Sequence, residues 1–312
     1  MHSCSRCLQR VLSDFGLEHS FRQGAERVRE HYGFEISKSA VANETLKHAR
    51  AIRKMQDSRK FTGALPAHGA ESITVEADGT MLRIVSTSPA ADRRHTRKVE
   101  YRETRLCAAR GKGQTRIVYE AGLRDVEQTG RLLGLAARQS GWALESHIHA
   151  VGDGAEWIRA QVGRVFGSDC PYLIDFFHLC EYLHAASEKL GGGQKRWMSL
   201  QKKRLKNGRS EKVILELKEL LEGAAVKDEE APARAAYRYM TNHRDCFHYK
   251  EALAADLEIG SGLIESGNKH VLQARLKIPG ASWAADSADA ISQARAFRAN
   301  NNWCSYWNLS VA

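Results

Sequence analysis

The chain has 312 residues, enough for one large domain with a smaller one beside it. Its 47 Lys and Arg outnumber 37 Asp and Glu, a formal net charge of +10 that favours a polyanionic partner. No stretch nears the roughly 20 apolar residues of a membrane span and no apolar leader opens the chain; seven cysteines without an export signal speak for reducing, cytoplasmic surroundings over a disulfide framework.

Residues 1–19 open on Cys4-Ser-Arg-Cys7, the spacing of half a zinc site. Zinc takes four ligands, and apart from His2 no second half is evident. Two ordinary thiols are an equal reading, as is the loss of preceding sequence that held the other ligands. Over residues 20–52, Phe21, Ala25, Val28 and Tyr32 recur at helical spacing, and Gly33 breaks the pattern. Ser37 then caps a second helix carrying Val41, Thr45 and His48. This is the outline of a helix-turn-helix, which any helical hairpin shares. Residues 53–70, with Gly63, Pro66 and Gly69, read as a linker.

The pattern changes at residue 71. Residues 72–85 (SITVEADGTMLRIV) are rich in β formers, with a turn expected at Asp78-Gly79 or just after it. Strands follow over 98–109 and 114–120, then an amphipathic helix over 124–139 with Val126, Leu132, Leu133, Ala136 and Ala137 inward. A strand over 143–151, a helix over 155–166, a short strand over 171–175 and a helix over 178–190 complete the series. Three strands, a helix, a strand, a helix, a strand and a helix is the order of an α/β, RNase H-like domain. Residues 191–257, entered at Gly191-Gly192-Gly193, look purely helical and charged, with Val213, Ile214, Leu217, Leu220 and Leu221 in one stripe. They read as a helical insertion that splits the core into 71–190 and 258–312. Helices over 263–278 and 284–299 close the chain. The run Lys202, Lys203, Arg204, Lys206 and Arg209 reads as a solvated face or a non-specific grip on DNA.

Three carboxylates stand out. Asp78 and Asp153 each end an apolar run and precede a glycine. Either alone is better explained by a β-turn. Placed on the first and fourth strands of one sheet, they converge. Glu265 lies in Gly260-Ser-Gly-Leu-Ile-Glu265-Ser-Gly-Asn268-Lys269, at the start of a helix. An i,i+4 pair with Lys269 competes with a site role, but Ser261, Gly262 and Gly267 are poor helix formers and fit a close approach. Three carboxylates suit hard cations such as Mg²⁺ or Mn²⁺, and two such ions about 4 Å apart serve phosphoryl transfer.

Four blocks carry a family resemblance over about residues 20–300: VEADGT around Asp78, VGDGAEWI around Asp153, LIDFFHLCEYL around Asp175 and His178, and GSGLIESGNK with ARLKIPGASW from Gly260 to Trp283. The chain resembles bacterial insertion-sequence DDE transposases, similar to the ISKra group and to mutator-like relatives. The resemblance implies that Asp78, Asp153 and Glu265 bind two metal ions and that the helical insertion lies between the second Asp and the Glu. It further implies that Asp175 and His178 form a secondary D-x-x-H motif. By itself Asp175 reads equally as a helix cap, His178 as a packed side chain, and a rival assignment makes Asp175 the second catalytic carboxylate. Lys269, Arg275 and Lys277 would meet phosphates, and Trp283 would stack on an unpaired base or sit in the core. The implied partners are transposon-end and target DNA, held by a multimer at the nucleoid. Related chains extend further at the N-terminus, where recognition of the ends usually resides. The alternatives are a catalytically silent, transposase-derived DNA-binding protein and a glycosidase using two carboxylates, the latter disfavoured by the basic block after Glu265.

Overall fold

The structure, a computed structural model, describes residues 4–61, 63–89 and 92–308. Three helices lead: α1 (Arg6–Glu18), α2 (Phe21–Tyr32) and α3 (Lys38–Asp57). Ser5, Ser20 and Ser37 each accept an amide hydrogen bond from the first turn of the helix that follows, and Ser20 with Gln23 forms a reciprocal capping box. Gly33 closes α2 at φ 72°. The breaks expected at Gly33 and Ser37 are therefore present. Residues 6–18, however, are helix rather than an open CxxC segment, and α3 runs on to Asp57 instead of ending near residue 52. The segment after it is tied down. Arg59 holds Glu120 with two guanidinium nitrogens at 2.7 and 2.6 Å, and the Ala70 amide donates to Gly141 O at 2.9 Å.

The centre is a sheet of β1 (Ser72–Ser86), β2 (Lys98–Gly111), β3 (Val118–Gly122), β4 (His147–Gly152) and β5 (Tyr172–Ile174). Helices α4 (Val126–Gln139), α5 (Glu156–Phe166) and α6 (Phe176–Ser187) interleave with the last strands. The spatial order is β3-β2-β1-β4-β5. The first three strands form an antiparallel meander, while β4 and β5 run parallel to β1. Parallel neighbours need crossovers, which α4 and α5 supply. One expectation fails here: no turn forms at Asp78-Gly79. β1 pairs without interruption from Ile73↔Gly111 to Ser86↔Lys98, with Asp78 opposite Leu106 and Gly79 opposite Arg105. A partner strand that continues past the dipeptide outweighs its local turn preference.

Alternation splits β1 between two cores. Ile73, Val75 and Ala77 pack with Leu133, Ala136 and Ala137 of α4 and Ile158 and Val162 of α5. Leu82 and Ile84 belong to the opposite face, which shares a core with Ile52 of α3 and with Ala290, Ile291 and Ala294 of α13 (Ala285–Ala299). Arg50 and Arg53 of α3 both reach Asp286 of α13 at 2.7 Å, so the second helix of the expected helix-turn-helix has its inner face occupied.

The mostly helical stretch after α6 holds α7 (Gln194–Lys206), α8 (Ser210–Glu219), α9 (Pro232–Asn242) and α10 (Tyr249–Ala254). Val213, Ile214 and Leu217 are buried as expected, while α8 ends before Leu221, which is exposed. The chain returns through α11 (Gly262–Gly267), a π turn (Asn268–Gln273) and α12 (Ala274–Leu276), which follow one another without a break, and closes with α14 (Trp303–Asn308). No helix among the described residues is long and apolar enough to cross a membrane.

Candidate active site

Because side chains alternate along a strand, Thr74, Glu76, Asp78 and Thr80 share one face of β1. β4 pairs with β1 only from Ser72↔His147 to Glu76↔Val151. Continuing that register puts Asp78 level with Asp153, just past the end of β4, on chains that neighbour each other ~4.8 Å apart while paired. The flank of β1 is thus uncovered where Asp78 sits. Burial raises the Asp78 pKa, and the Asp153 and Glu103 carboxylates raise it further, so the two aspartates sense each other. Asp153 is exposed; its Oδ1 accepts from the Ala155 amide at 2.9 Å and its carbonyl accepts from Tyr239 Oη at 2.6 Å.

Glu265 comes to this face on a segment pinned at two points. The Ile264 amide donates to Glu76 Oε2 at 2.7 Å, and Asn268 Nδ2 donates to Asp78 Oδ2 at 2.5 Å. The π turn starts at Asn268; such turns often mark functional sites. Glu265 is exposed, with Oε1 3.5 Å from Ser261 Oγ; among the described residues it makes no ion pair with Lys269. The close approach anticipated around Gly267 is to the sheet, since a Cβ there would lie 2.5 Å from Tyr119 Cε1 and 2.8 Å from Leu106 Cδ2.

Asp175 is 1 % exposed and caps α6. Its Oδ1 accepts from the Phe177 and His178 amides at 2.6 and 3.1 Å, and its Oδ2 accepts from the Ser261 amide at 2.8 Å and from Ser261 Oγ. Both oxygens are committed, so Asp175 clamps the head of α6 to the loop before α11 and has nothing to spare for a metal. Asp153 keeps one oxygen open. His178 is partly exposed, 3.5 Å from Glu181 Oε2 and edge-on to Tyr182 and Tyr239 at 5.4 and 6.0 Å.

Two expected DNA contacts lie elsewhere. Arg275 is 2 % exposed, its Nε donates to Gly16 O at 2.9 Å, and its guanidinium sits 4.7 Å from the rings of both Phe21 and Trp283. Burial lowers its pKa to about 10. Trp283 is itself buried; its Nε1 donates to Leu276 O at 3.0 Å and its backbone bridges to Ile84. Neither presents itself to a strand of DNA. Read linearly, ARLK is a basic run, but helical rotation turns 275 inward and leaves 277 outside. Lys269 and Lys277 are exposed as expected.

Cys4 is half-buried, its pKa raised by burial, while Cys7 is exposed; both thiols are free, and His2 lies outside the described residues. No three His, Cys, Asp or Glu side chains among the described residues are arranged to hold an ion. At the N-terminus, Cys4 and Cys7 are joined by no such third ligand among the described residues. At the acidic face, Asp78 is turned toward Asn268 instead of toward Glu265. The donors there are nonetheless all hard oxygens, and Asp78 is held above its ordinary pKa first by burial and then by the Asp153 and Glu103 carboxylates, a balance that a bound divalent cation would reverse.

The sequence reading missed Glu76, Ser261 and Asn268. A signal was present for the first: a carboxylate inside an apolar run, two residues from Asp78 and so on its face. Glu76 is 1 % exposed, its pKa is pushed up to about 8, chiefly by burial, and its Oε1 has no partner. A cavity of about 380 Å³ lined by Glu76, Arg110, Phe177, Glu258, Gly260 and Glu265 opens beside it.

No curated protein matches the sequence. One family model covers the described fold almost from end to end, over residues 1–305, and by that match the chain belongs to the Uncharacterised protein family (UPF0236).

Proposed function

We propose that the chain is a DNA transposase of the DDE type, which cuts DNA in a metal-dependent reaction and transfers the freed strand. The observation that carries this is the parallel pairing of β1 with β4, whose register, continued two residues, levels Asp78 with Asp153, with Glu265 delivered over the same face by a segment pinned at Ile264 and Asn268. The order β3-β2-β1-β4-β5 with an antiparallel β2 supports an RNase H-like reading of the sheet. Residues 191–257 then form the helical insertion between the second Asp and the Glu.

Asp78, Asp153 and Glu265 would hold Mg²⁺ or Mn²⁺, which supplies the Lewis acidity that activates water or a 3′-hydroxyl and offsets charge on the phosphate. The chain's own side chains do the positioning. The Gly79 amide, 2.6 Å from Oδ1, orients the Asp78 carboxylate while Asn268 occupies Oδ2. To share an ion with Asp153 and Glu265, Asp78 would have to give up the Asn268 contact at Oδ2. Lys269 and Lys277, exposed on the same segment and just beyond it, offer cations to the backbone of a bound strand. Transposon-end and target DNA are the proposed partners, held by a multimer of this chain at the nucleoid.

The test is strand cleavage and joining on a plasmid bearing the flanking ends of the element, with Mg²⁺ or Mn²⁺. Asp78→Asn, Asp153→Asn and Glu265→Gln should each abolish both steps while leaving DNA binding intact. Cleavage by all three variants at the wild-type rate sinks the proposal. The hold of Asn268 on Asp78 favours a second reading, a silent DNA-binding descendant of such an enzyme. Binding without cleavage by the wild type in either metal would select it.

A further inference from the structure

Phe177 follows the buried Phe176 in the first turn of α6, yet it is 63 % exposed. Single exposed apolar residues are common on protein surfaces and need no explanation. This ring, however, is held in place. It lies edge-on to Phe176 at 5.7 Å, and it presses on the loop before α11 so closely that a Cβ on Gly260 would sit 2.6 Å from it. It borders the cavity that Glu265 lines. Trp283, the aromatic expected to serve a base, is buried.

Charge converges on the same ring. α7 buries Met198, Gln201 and Leu205, so helical spacing sets Lys195, Lys202 and Lys206 along one edge of its outer face. All three are exposed and, among the described residues, pair with no acid, whereas Arg204 on the other edge holds Glu216. Lys206 Nζ stands 4.9 Å from the Phe176 ring, the ring that Phe177 meets edge-on at 5.7 Å. Lys202 and Lys206 both act on the Cys180 thiol of α6, so they lean toward that helix.

We propose that Phe177 is a stacking platform for one unpaired nucleobase, and that Lys195, Lys202 and Lys206 carry the phosphates of the same single strand toward Glu265. Aromatic rings interleaved with cations are how single strands are gripped without sequence readout. A ring at a cavity mouth cannot reach the face of a base still stacked in a duplex, so the target base must leave the stack. The proposal rests on the nucleic-acid reading above and assigns the part of the substrate that reaches the site.

The experiment uses the full chain with chelator present, so that binding is read without cleavage. The probe is a single-stranded oligodeoxynucleotide carrying 2-aminopurine, compared with the same strand annealed to its complement. Wild type should quench the unpaired probe and not the duplex. Phe177→Ala should lose the quench and bind about tenfold or more weakly, with an unchanged melting temperature because the ring is exposed, while Phe177→Trp retains both. Replacing the three lysines by alanine should lower the slope of log affinity against log salt by about 2, at roughly 0.7 per phosphate on a single strand. An unchanged quench and affinity in Phe177→Ala, or an unchanged salt slope in the triple variant, overturns the proposal. Wild-type quenching without cleavage in Mg²⁺ or Mn²⁺ would uphold it and defeat the catalytic reading; cleavage with a quench indifferent to Phe177 would do the reverse.

Discussion

The seam that docks the N-terminal helices and the face of β1 that carries Asp78 both bury charge, and they treat it in opposite ways. At the seam, Arg295 donates through Nε to Val271 O at 2.5 Å, through Nη1 to Leu17 O and to Glu18 at 3.0 Å, and through Nη2 to His270 O at 2.7 Å. Arg275, with one nitrogen unpaired among the described residues, sits 4.7 Å from the rings of Phe21 and Trp283, which meet edge-on beside it. Both ring nitrogens of His48 are engaged, by Tyr306 Oη at 2.7 Å and Gln9 Oε1 at 3.0 Å. On β1, Glu76 has one oxygen with no partner, and Asp78 is crowded by two further carboxylates. Arg295, hydrogen-bonded through all three of its guanidinium nitrogens, fastens one part of the fold to another. The Glu76 carboxyl, left with an oxygen short of partners beside a cavity, works against stability and marks a place kept for chemistry.

Five changes would break or sharpen that contrast, taken from the largest expected effect down. Asp153→Ala should reduce cleavage at least ~10³-fold, since a bound metal supplies several kcal/mol to the transition state, yet leave the urea midpoint unmoved because Asp153 is exposed. Asp175→Ala should do the converse and destabilise the fold. Arg295→Met strands the carbonyls of Leu17, Val271 and His270, and should cost about 3–5 kcal/mol of unfolding free energy by urea titration. If that variant were neutral, the seam would not be the structural partner in this comparison.

The remaining two are read in pH. The Glu76 pKa stands at about 8 in the folded chain against an ordinary 4.5. The folded state therefore binds the extra proton between these values, and stability falls as pH rises through that window. In metal-free buffer Glu76→Gln should flatten this dependence and gain on the order of 2–4 kcal/mol at the upper end. His48 runs the other way, its pKa lowered by burial from 6.5 to about 4. There the unfolded state takes the proton first, so stability is complete above pH 6.5 and is lost as pH falls toward 4. Replacing His48 by Gln should remove a slope worth about 1–3 kcal/mol. Equal slopes before and after either change would show that the group does not titrate as its surroundings dictate.

Much of the fold can be read along the chain because its signals are local. Gly33 ends its helix by its backbone conformation, and Ser37 opens the next by a side chain that reaches only a turn away. The order of strands and helices through α6 follows from periodicity and crossover rules, and so does the pairing of the strand that carries Asp78 with the one that ends just before Asp153. Tertiary contact decided the rest. Whether Asp78-Gly79 turned or extended depended on a strand some 28 residues away in sequence, from the pairing of Asp78 with Leu106. Whether Arg275 and Trp283 faced solvent or each other depended on Phe21 and Gly16, contributed by the far end of the chain. Charge and aromatic character are properties of a residue and travel with the sequence. Burial and hydrogen-bond saturation belong to its neighbours, and for Asp175, Asn268 and Phe177 those neighbours are assembled only when the distant segments close around them.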